Sequence, residues 1–238
     1  MKIIAVIPAR LGSTRLPRKM LLDVKGKPLA VRVYEAVRSS PLLDDVIVAT
    51  DSEEIMAACE QHSCHARMTS TKHRSGTERV HEVAQSVAAD VYINVQGDEP
   101  MIRAEHIAVL ADLMKKSNAP VGTLKTPACS EDINNPNAVK VVTDRNGRAL
   151  YFSRSTVPFD RDAAHPRYFK HLGIYAYQEA ALEHFVGLPE SALERAERLE
   201  QLRFLENGIP ICVAETQFDS IGVDTQEDFD RVVKMIRP

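Results

Sequence analysis

Tryptophan is missing, and aromatic residues make up only 5% of the 238 residues, so there are few rings on which the bases of a single strand could stack. A basic excess is missing too. Lys and Arg number 30 against 33 Asp and Glu, a formal net charge of −3, which argues against a chain that tracks phosphate backbones. No nucleic acid partner is expected. Long apolar runs are absent: the N-terminal run at 3–7 is cut by Pro8 and Arg10, well short of the ~20 residues of a membrane span or the ~7–15 of a signal-peptide core. No membrane insertion is expected, and the residence implied is cytoplasmic. The four cysteines, Cys59, Cys64, Cys129 and Cys212, form no CxxC pair, which excludes a disulfide framework and reads as buried or incidental thiols. His62 and His65 stand close to Cys59 and Cys64 in sequence, but a helix end and the following strand cannot present all four to one metal.

What remains is an ordinary globule, 44% hydrophobic and 26% charged, long enough to bury roughly 70–75% of its unfolded surface without a staple. No repeat, linker or low-complexity tract interrupts it, so one domain over 1–238 is expected. Continuous β-branched runs at 2–7, 46–50 and 91–95 alternate with helical patterns, as in parallel βαβ units whose strands are covered on both faces. The first helix starts near Pro28 and the second after Asp51. The third starts at Ser75, whose spacing to Glu78 makes a capping box. Beyond Val121 the pattern loosens into strand-like pieces at 121–125, 139–143 and 172–177 separated by turns such as Asn134-Asn135-Pro136-Asn137, which predicts a mixed-sheet elaboration. A helix after Thr225 carries Phe229, Val232, Val233 and Ile236 on one face.

In an open α/β sheet, ligands bind beyond the carboxyl ends of the strands. The first strand empties into Pro8-Ala9-Arg10-Leu11-Gly12-Ser13-Thr14-Arg15-Leu16-Pro17-Arg18-Lys19. Its cations suit a polyphosphate, and a solvated basic loop is the alternative. The spacing fits neither a P-loop nor a dinucleotide fingerprint. The third strand ends in Gln96-Gly97-Asp98-Glu99, where a carboxylate can hold Mg²⁺ against phosphates, or Asp98 or Glu99 can introduce the next helix. Asp224, with Glu227 three residues on, is open to the same two readings. His73-Arg74-Ser75-Gly76-Thr77-Glu78-Arg79 puts two arginines and a glycine at a helix start, where free N–H groups suit an anion or a base edge.

Eight strings in register, IPARLGSTRLPRK (7–19), VATDSEEI (48–55), HRSGTER (73–79), NVQGDEP (94–100), YFSRSTVP (151–158), KHLGIYAY (170–177), ERLEQLR (197–203) and IGVDT (221–225), resemble the 3-deoxy-D-manno-octulosonate (Kdo) cytidylyltransferase family over essentially the whole chain. The resemblance implies a three-layer nucleotidyltransferase fold with a mostly parallel central sheet flanked by helices. It implies a transferase that joins CMP from CTP to the anomeric hydroxyl of an acidic eight-carbon sugar, releases pyrophosphate and serves lipopolysaccharide biosynthesis. By resemblance, Arg10, Ser13, Arg15 and Lys19 hold the triphosphate. Arg74, Ser75, Gly76, Arg79 and Gln96 belong to the cytosine and ribose end, with Asp98 also on the nucleotide. Asp98 and Asp224 bind Mg²⁺, the implied cofactor, and with Arg10 and Lys19 make up the catalytic set. Arg154, Arg161, His171, Tyr175, Glu200 and Gln201 line the sugar pocket. The family is usually a homodimer. The chain departs from the common pattern at Arg18, where Gly is frequent, at Met20, where Pro is, and at Arg74, where Gln is.

Overall fold

Strands whose two faces are both covered need no polar alternation, and the first half of the chain is built from such strands. The computed structural model describes residues 1–12 and 16–236. It divides into two compact units, Met1–Ala108 with Ser220–Pro238, and Val109–Asp219.

In the first unit, β1 (Ile3–Ala9) is followed by α1 (Leu29–Arg38), β2 (Asp45–Thr50), α2 (Glu53–Gln61), β3 (Ala66–Met68), α3 (Gly76–Ala84), β4 (Val91–Asn94) and the start of α4 (Ala104–Ser117). The strands pair in parallel in the order β3-β2-β1-β4. β1 runs two residues beyond the expected end, because Pro8 and Ala9 stay in register with Ala49 and Thr50. Pro28 is the residue before the first turn of α1, which buries Leu29, Ala30, Val31, Val33 and Val37. α2 follows Asp51 as expected, and Ser52 caps it by accepting from the Ile55 N–H at 3.4 Å. Ser75 caps α3 in the expected way, taking the Glu78 N–H at 3.2 Å, but Glu78 does not return the bond to Ser75; its carboxylate accepts from the Arg74 N–H instead.

The second unit contains β5 (Val121–Pro127), α5 (Ser130–Ile133), β6 (Lys140–Thr143), β7 (Ala149–Ser153), β8 (Phe169–Tyr177), α6 (Glu179–Gly187), α7 (Ala192–Glu197), α8 (Leu202–Glu206) and β9 (Ile211–Glu215). β5 lies antiparallel to β8 and parallel to β9, and β6 pairs antiparallel with β7. This is the expected mixed elaboration. The architecture as a whole is mixed α/β with a central sheet flanked by helices.

The chain then returns to the first unit as α9 (Gln226–Met235). Val223 and Val232 are fully buried with Leu16, Val24 and Leu29, and Phe229, Val233 and Ile236 pack against that cluster. Among the described residues no helix is long and apolar enough to cross a membrane.

Candidate active site

At the carboxyl end of β1 and β4 lies a cleft of about 240 Å³ contained in the first unit. It gathers Arg10, Lys19, Arg74, Ser75, Gly76, Arg79, Gln96, Asp98 and Asp224 of the sequence candidates, together with Pro8, Gly12, Met20, His73 and Gly97. Ser13 and Arg15 lie outside the described residues. Four separate segments therefore line it: the basic loop after β1, the head of α3, the turn after β4 and, through Asp224, the segment that leads into α9. That convergence is what the strand-end rule for open sheets requires.

The floor of the cleft is an ion triad. Lys19, only 8% exposed, directs Nζ to Asp98 Oδ2 at 2.5 Å and to Asp224 Oδ1 at 3.2 Å. A buried ammonium is tolerated only with such partners, because an unpaired charge out of water is costly. Lys19 opens a 3-10 turn, Lys19–Leu21, and the residue before it, Arg18, sits in the left-handed region at φ 55. Glycine adopts that conformation at least cost. Here Arg18 is fixed instead by a forked pair to Glu54 on α2.

Asp224 does not cap α9. The capping box is Thr225 with Asp228, one residue later than the Asp224–Glu227 alternative, so the Asp224 carboxylate is left to face Lys19. Nor do Asp98 or Glu99 introduce the next helix, since α4 begins at Ala104. The Asp98 carbonyl accepts from the Val223 N–H at 2.8 Å and Glu99 accepts from the Ser220 hydroxyl at 2.8 Å. These bonds tie the return segment to the acidic turn and carry Asp224 to the floor.

At the head of α3 the arginines divide their roles. Arg79 is 3% exposed, and its guanidinium donates to Asp51 Oδ2 at 2.8 Å and to the Thr69 hydroxyl, which itself donates to the Thr50 carbonyl. Its charge lines the cleft while its donors lock α3 to the ends of β2 and β3. Arg74 is exposed at the rim, and its guanidinium reaches Glu78 at 2.9 Å. Burial alone would raise the Glu78 carboxyl, but the Arg74 N–H and guanidinium, with His73 nearby, hold it below the usual range. Glu82 is likewise held low against its burial by the Ser70 N–H and by His73.

Gly97 was missed as a site residue, although a glycine between Gln96 and Asp98 is a visible signal of close backbone approach. A Cβ there would stand 2.6 Å from the Pro8 carbonyl oxygen and 3.1 Å from Met20 Sδ. Asn94, at the end of β4, is 1% exposed, and among the described residues its Oδ1 is a buried side-chain oxygen without a hydrogen-bond partner.

The sugar candidates all lie in the second unit. His171 and Tyr175 are four residues apart on β8, a span of ~13 Å in a regular strand. A register shift opposite Thr123 and Leu124 bunches the strand, and the ring centroids stand 5.3 Å apart. This is the re-aiming of side chains that bulges provide. The Thr123 hydroxyl donates to the Ile174 carbonyl at 2.7 Å and so accepts from His171 Nε2 at 3.0 Å. Burial beside Phe152 pushes the imidazole down to about 3, so it is neutral. Arg154 donates through Nε to the Glu197 carbonyl at 2.7 Å and through a terminal nitrogen to the Pro136 carbonyl at 3.0 Å. It thereby satisfies the end of α7, just ahead of Glu200 and the buried Gln201. Arg161 is exposed on the loop after β7.

Of the cysteines, Cys59 and Cys64 are buried, Cys129 is exposed and Cys212 half-buried. Desolvation pushes the Cys59 and Cys64 thiols up to about 12 and about 11, which makes them inert at neutral pH.

Comparison with known proteins identifies the family. The cytidylyltransferase family model matches residues 4–216. A 3-deoxy-manno-octulosonate cytidylyltransferase of Koribacter versatilis is 63% identical over 99% of this chain and 90% of its own. The protein of the same name from Acidobacterium capsulatum is 52% identical, over 99% and 97%. A solved structure described as CMP:2-keto-3-deoxy-manno-octonic acid synthetase complexed with CTP superposes with a TM-score of 0.94 at 43% identity, covering 99% of this chain and 98% of the other. The chain belongs to the cytidylyltransferase family and, within it, to the 3-deoxy-manno-octulosonate cytidylyltransferases.

Proposed function

We propose that the chain transfers CMP from CTP to the anomeric hydroxyl of Kdo, giving CMP-Kdo and pyrophosphate for lipopolysaccharide biosynthesis. The observation that carries this reading is the cleft itself, which sets four basic side chains around two carboxylates in a chain so similar to proteins of that name. The donor set fits Mg²⁺. Two carboxylates already share one cation, the Lys19 ammonium, and Mg²⁺ prefers one or two carboxylates completed by substrate oxygens and water. When bound by Asp98 and Asp224, Mg²⁺ would neutralise phosphate charge and make the sugar hydroxyl more acidic.

The chain's own groups do the rest. Arg10, Lys19 and the loop residues Ser13 and Arg15 draw the triphosphate into the cleft and stabilise the charge that gathers on the departing pyrophosphate. Ser75, Gly76, Gln96 and the rim arginine Arg74 orient the nucleoside, and buried Arg79 holds the head of α3 in place. The sugar oxygen forms its bond to the α-phosphorus as the α–β bridge breaks, so positioning and charge neutralisation supply the acceleration without a covalent enzyme intermediate. His171 and Tyr175, with Arg154, Arg161, Glu200 and Gln201, are assigned to the sugar.

We propose further that residues 1–238 act as one nucleotidyltransferase domain, a reading supported by an unbroken family match from 4 to 216. The working form is a cytoplasmic homodimer. The test is pyrophosphate release from CTP and Mg²⁺ with Kdo, 8-amino-Kdo or N-acetylneuraminate. Release with Kdo is expected. Release with another acid alone moves the error to the sugar pocket, and none with any overturns the proposal.

A further inference from the structure

The ion triad on the cleft floor sets a cation of the chain itself, Lys19, against two acids. Lys19 Nζ lies 2.5 Å from Asp98 and 3.2 Å from Asp224, a position in which a metal held by the same two carboxylates would meet it. The lysine is 8% exposed, whereas the acids are 25% and 46% exposed. The ammonium is thus the inner member of the triad and the carboxylates reach it from the side open to solvent. Lys19 also belongs to the loop that the proposed triphosphate would occupy, so one side chain faces both the carboxylates and the phosphates.

We infer that Lys19 is the resident counter-ion of the Asp98–Asp224 pair, keeping a divalent cation out until triphosphate draws the ammonium away. Metal binding is thereby conditional on nucleotide. The inference rests on the reading that Asp98 and Asp224 bind the metal. Its physics is that of a tethered competitor: apparent affinity falls by the fraction of time the carboxylates are vacant, and a second ligand that withdraws the competitor restores it. Linkage is reciprocal, so the metal in turn tightens nucleotide. A polyphosphate offers Lys19 stronger charge compensation than two carboxylates, and a lysine stem can swing between them where an arginine fork would be held by its geometry.

The test is Mn²⁺ binding to the full-length protein, read from the free-ion EPR signal with and without α,β-methylene-CTP. Without nucleotide, Lys19→Met and Lys19→Gln should bind Mn²⁺ at least roughly tenfold more tightly than wild type. With the analogue, the gap should close. Equal affinities without nucleotide overturn the inference, and a gap that persists with the analogue also overturns it, since the lysine then acts only as a fixed repelling charge. Asp98→Asn separates the underlying reading: if it binds Mn²⁺ as wild type does in the presence of analogue, the metal is not at this pair and both proposals fall. Melting curves of the two Lys19 variants confirm that each is folded, and either one suffices.

Discussion

A single methyl group at Gly97 should disturb both the fold and the cleft. In Gly97→Ala the new Cβ would lie 2.6 Å from the Pro8 carbonyl oxygen, 3.1 Å from Met20 Sδ and 3.4 Å from Met20 Cε. The methionine can turn aside, but the carbonyl cannot. Pro8 is paired in register with Ala49, so moving it means lifting the end of β1 from β2. Overpacking of this kind costs about 1–3 kcal/mol, or roughly 2–4 °C in melting temperature per kcal/mol for a chain of this size. Gln96 and Asp98 flank the glycine, so turnover should fall by roughly ten- to a hundredfold as they are displaced. The internal control is Gly76→Ala, whose Cβ would meet Pro8 Cγ at 3.4 Å and Asn94 Nδ2 at 3.7 Å, ordinary contacts at the first residue of a helix. It should lose no stability. Thermal and urea unfolding of both variants, with steady-state pyrophosphate release for Gly97→Ala, read the difference. A Gly97→Ala protein that melts and turns over like wild type refutes the reasoning.

Acid should unfold the protein partly through His171. Its imidazole is held down to about 3 from an ordinary 6.5, so the unfolded chain binds the extra proton, and stability is whole above pH 6.5 and lost toward pH 3. Between pH 6.5 and 5, above the carboxylate range, the loss should be about 1–2 kcal/mol; an equal decrement in His171→Gln by urea unfolding would rule this out. Glu194 takes two bonds from Arg203 at 2.7 and 2.6 Å, both side chains nearly buried. Glu194→Gln should therefore cost about 3–5 kcal/mol in chemical denaturation, and a loss below ~1 kcal/mol would mean that solvent screens the pair. Asp98→Asn should lower kcat by roughly two to four orders of magnitude, about 3–5 kcal/mol of transition-state stabilisation, and unchanged pyrophosphate release would remove Asp98 from the catalytic set.

β1, β2 and β4 of the first unit were legible because burial on both faces leaves continuous apolar runs, whereas the short, half-exposed β3 offers no such run, and the cleft was legible because ligand sites follow such strands. The basic loop, the head of α3 and the acidic turn could be named before any geometry. The division of labour among their residues could not. Lys19 meets Asp224 across 205 positions of sequence, and whether Asp224 or Thr225 caps α9 turns on a one-residue shift that capping patterns do not resolve. Arg79 lines the cleft as expected, but that it also donates to Asp51 and Thr69 could not be read from the sequence, because these are partners that β2 and β3 supply only once the sheet has formed. The long helix α4 went unassigned, as did β7, β9 and the short helices α5–α8 of the second unit. Segments of four to nine residues carry too little periodicity to be told apart, and the bunching of β8 that joins His171 to Tyr175 leaves no local trace beyond Gly173.

The first unit is discontinuous, and its acidic pair is split across the break: Asp98 precedes residues 109–219 and Asp224 follows them. During synthesis the cations of the cleft and Asp98 emerge well before Asp224 does. A nascent or truncated chain ending at 219 would thus hold a phosphate-attracting loop with one acid of two, and without the Val223 and Ser220 bonds that brace the acidic turn. If Asp98 and Asp224 act together as proposed, a chain that lacks residues 220–236 should not turn over nucleotide, so activity would be withheld until that segment has been made.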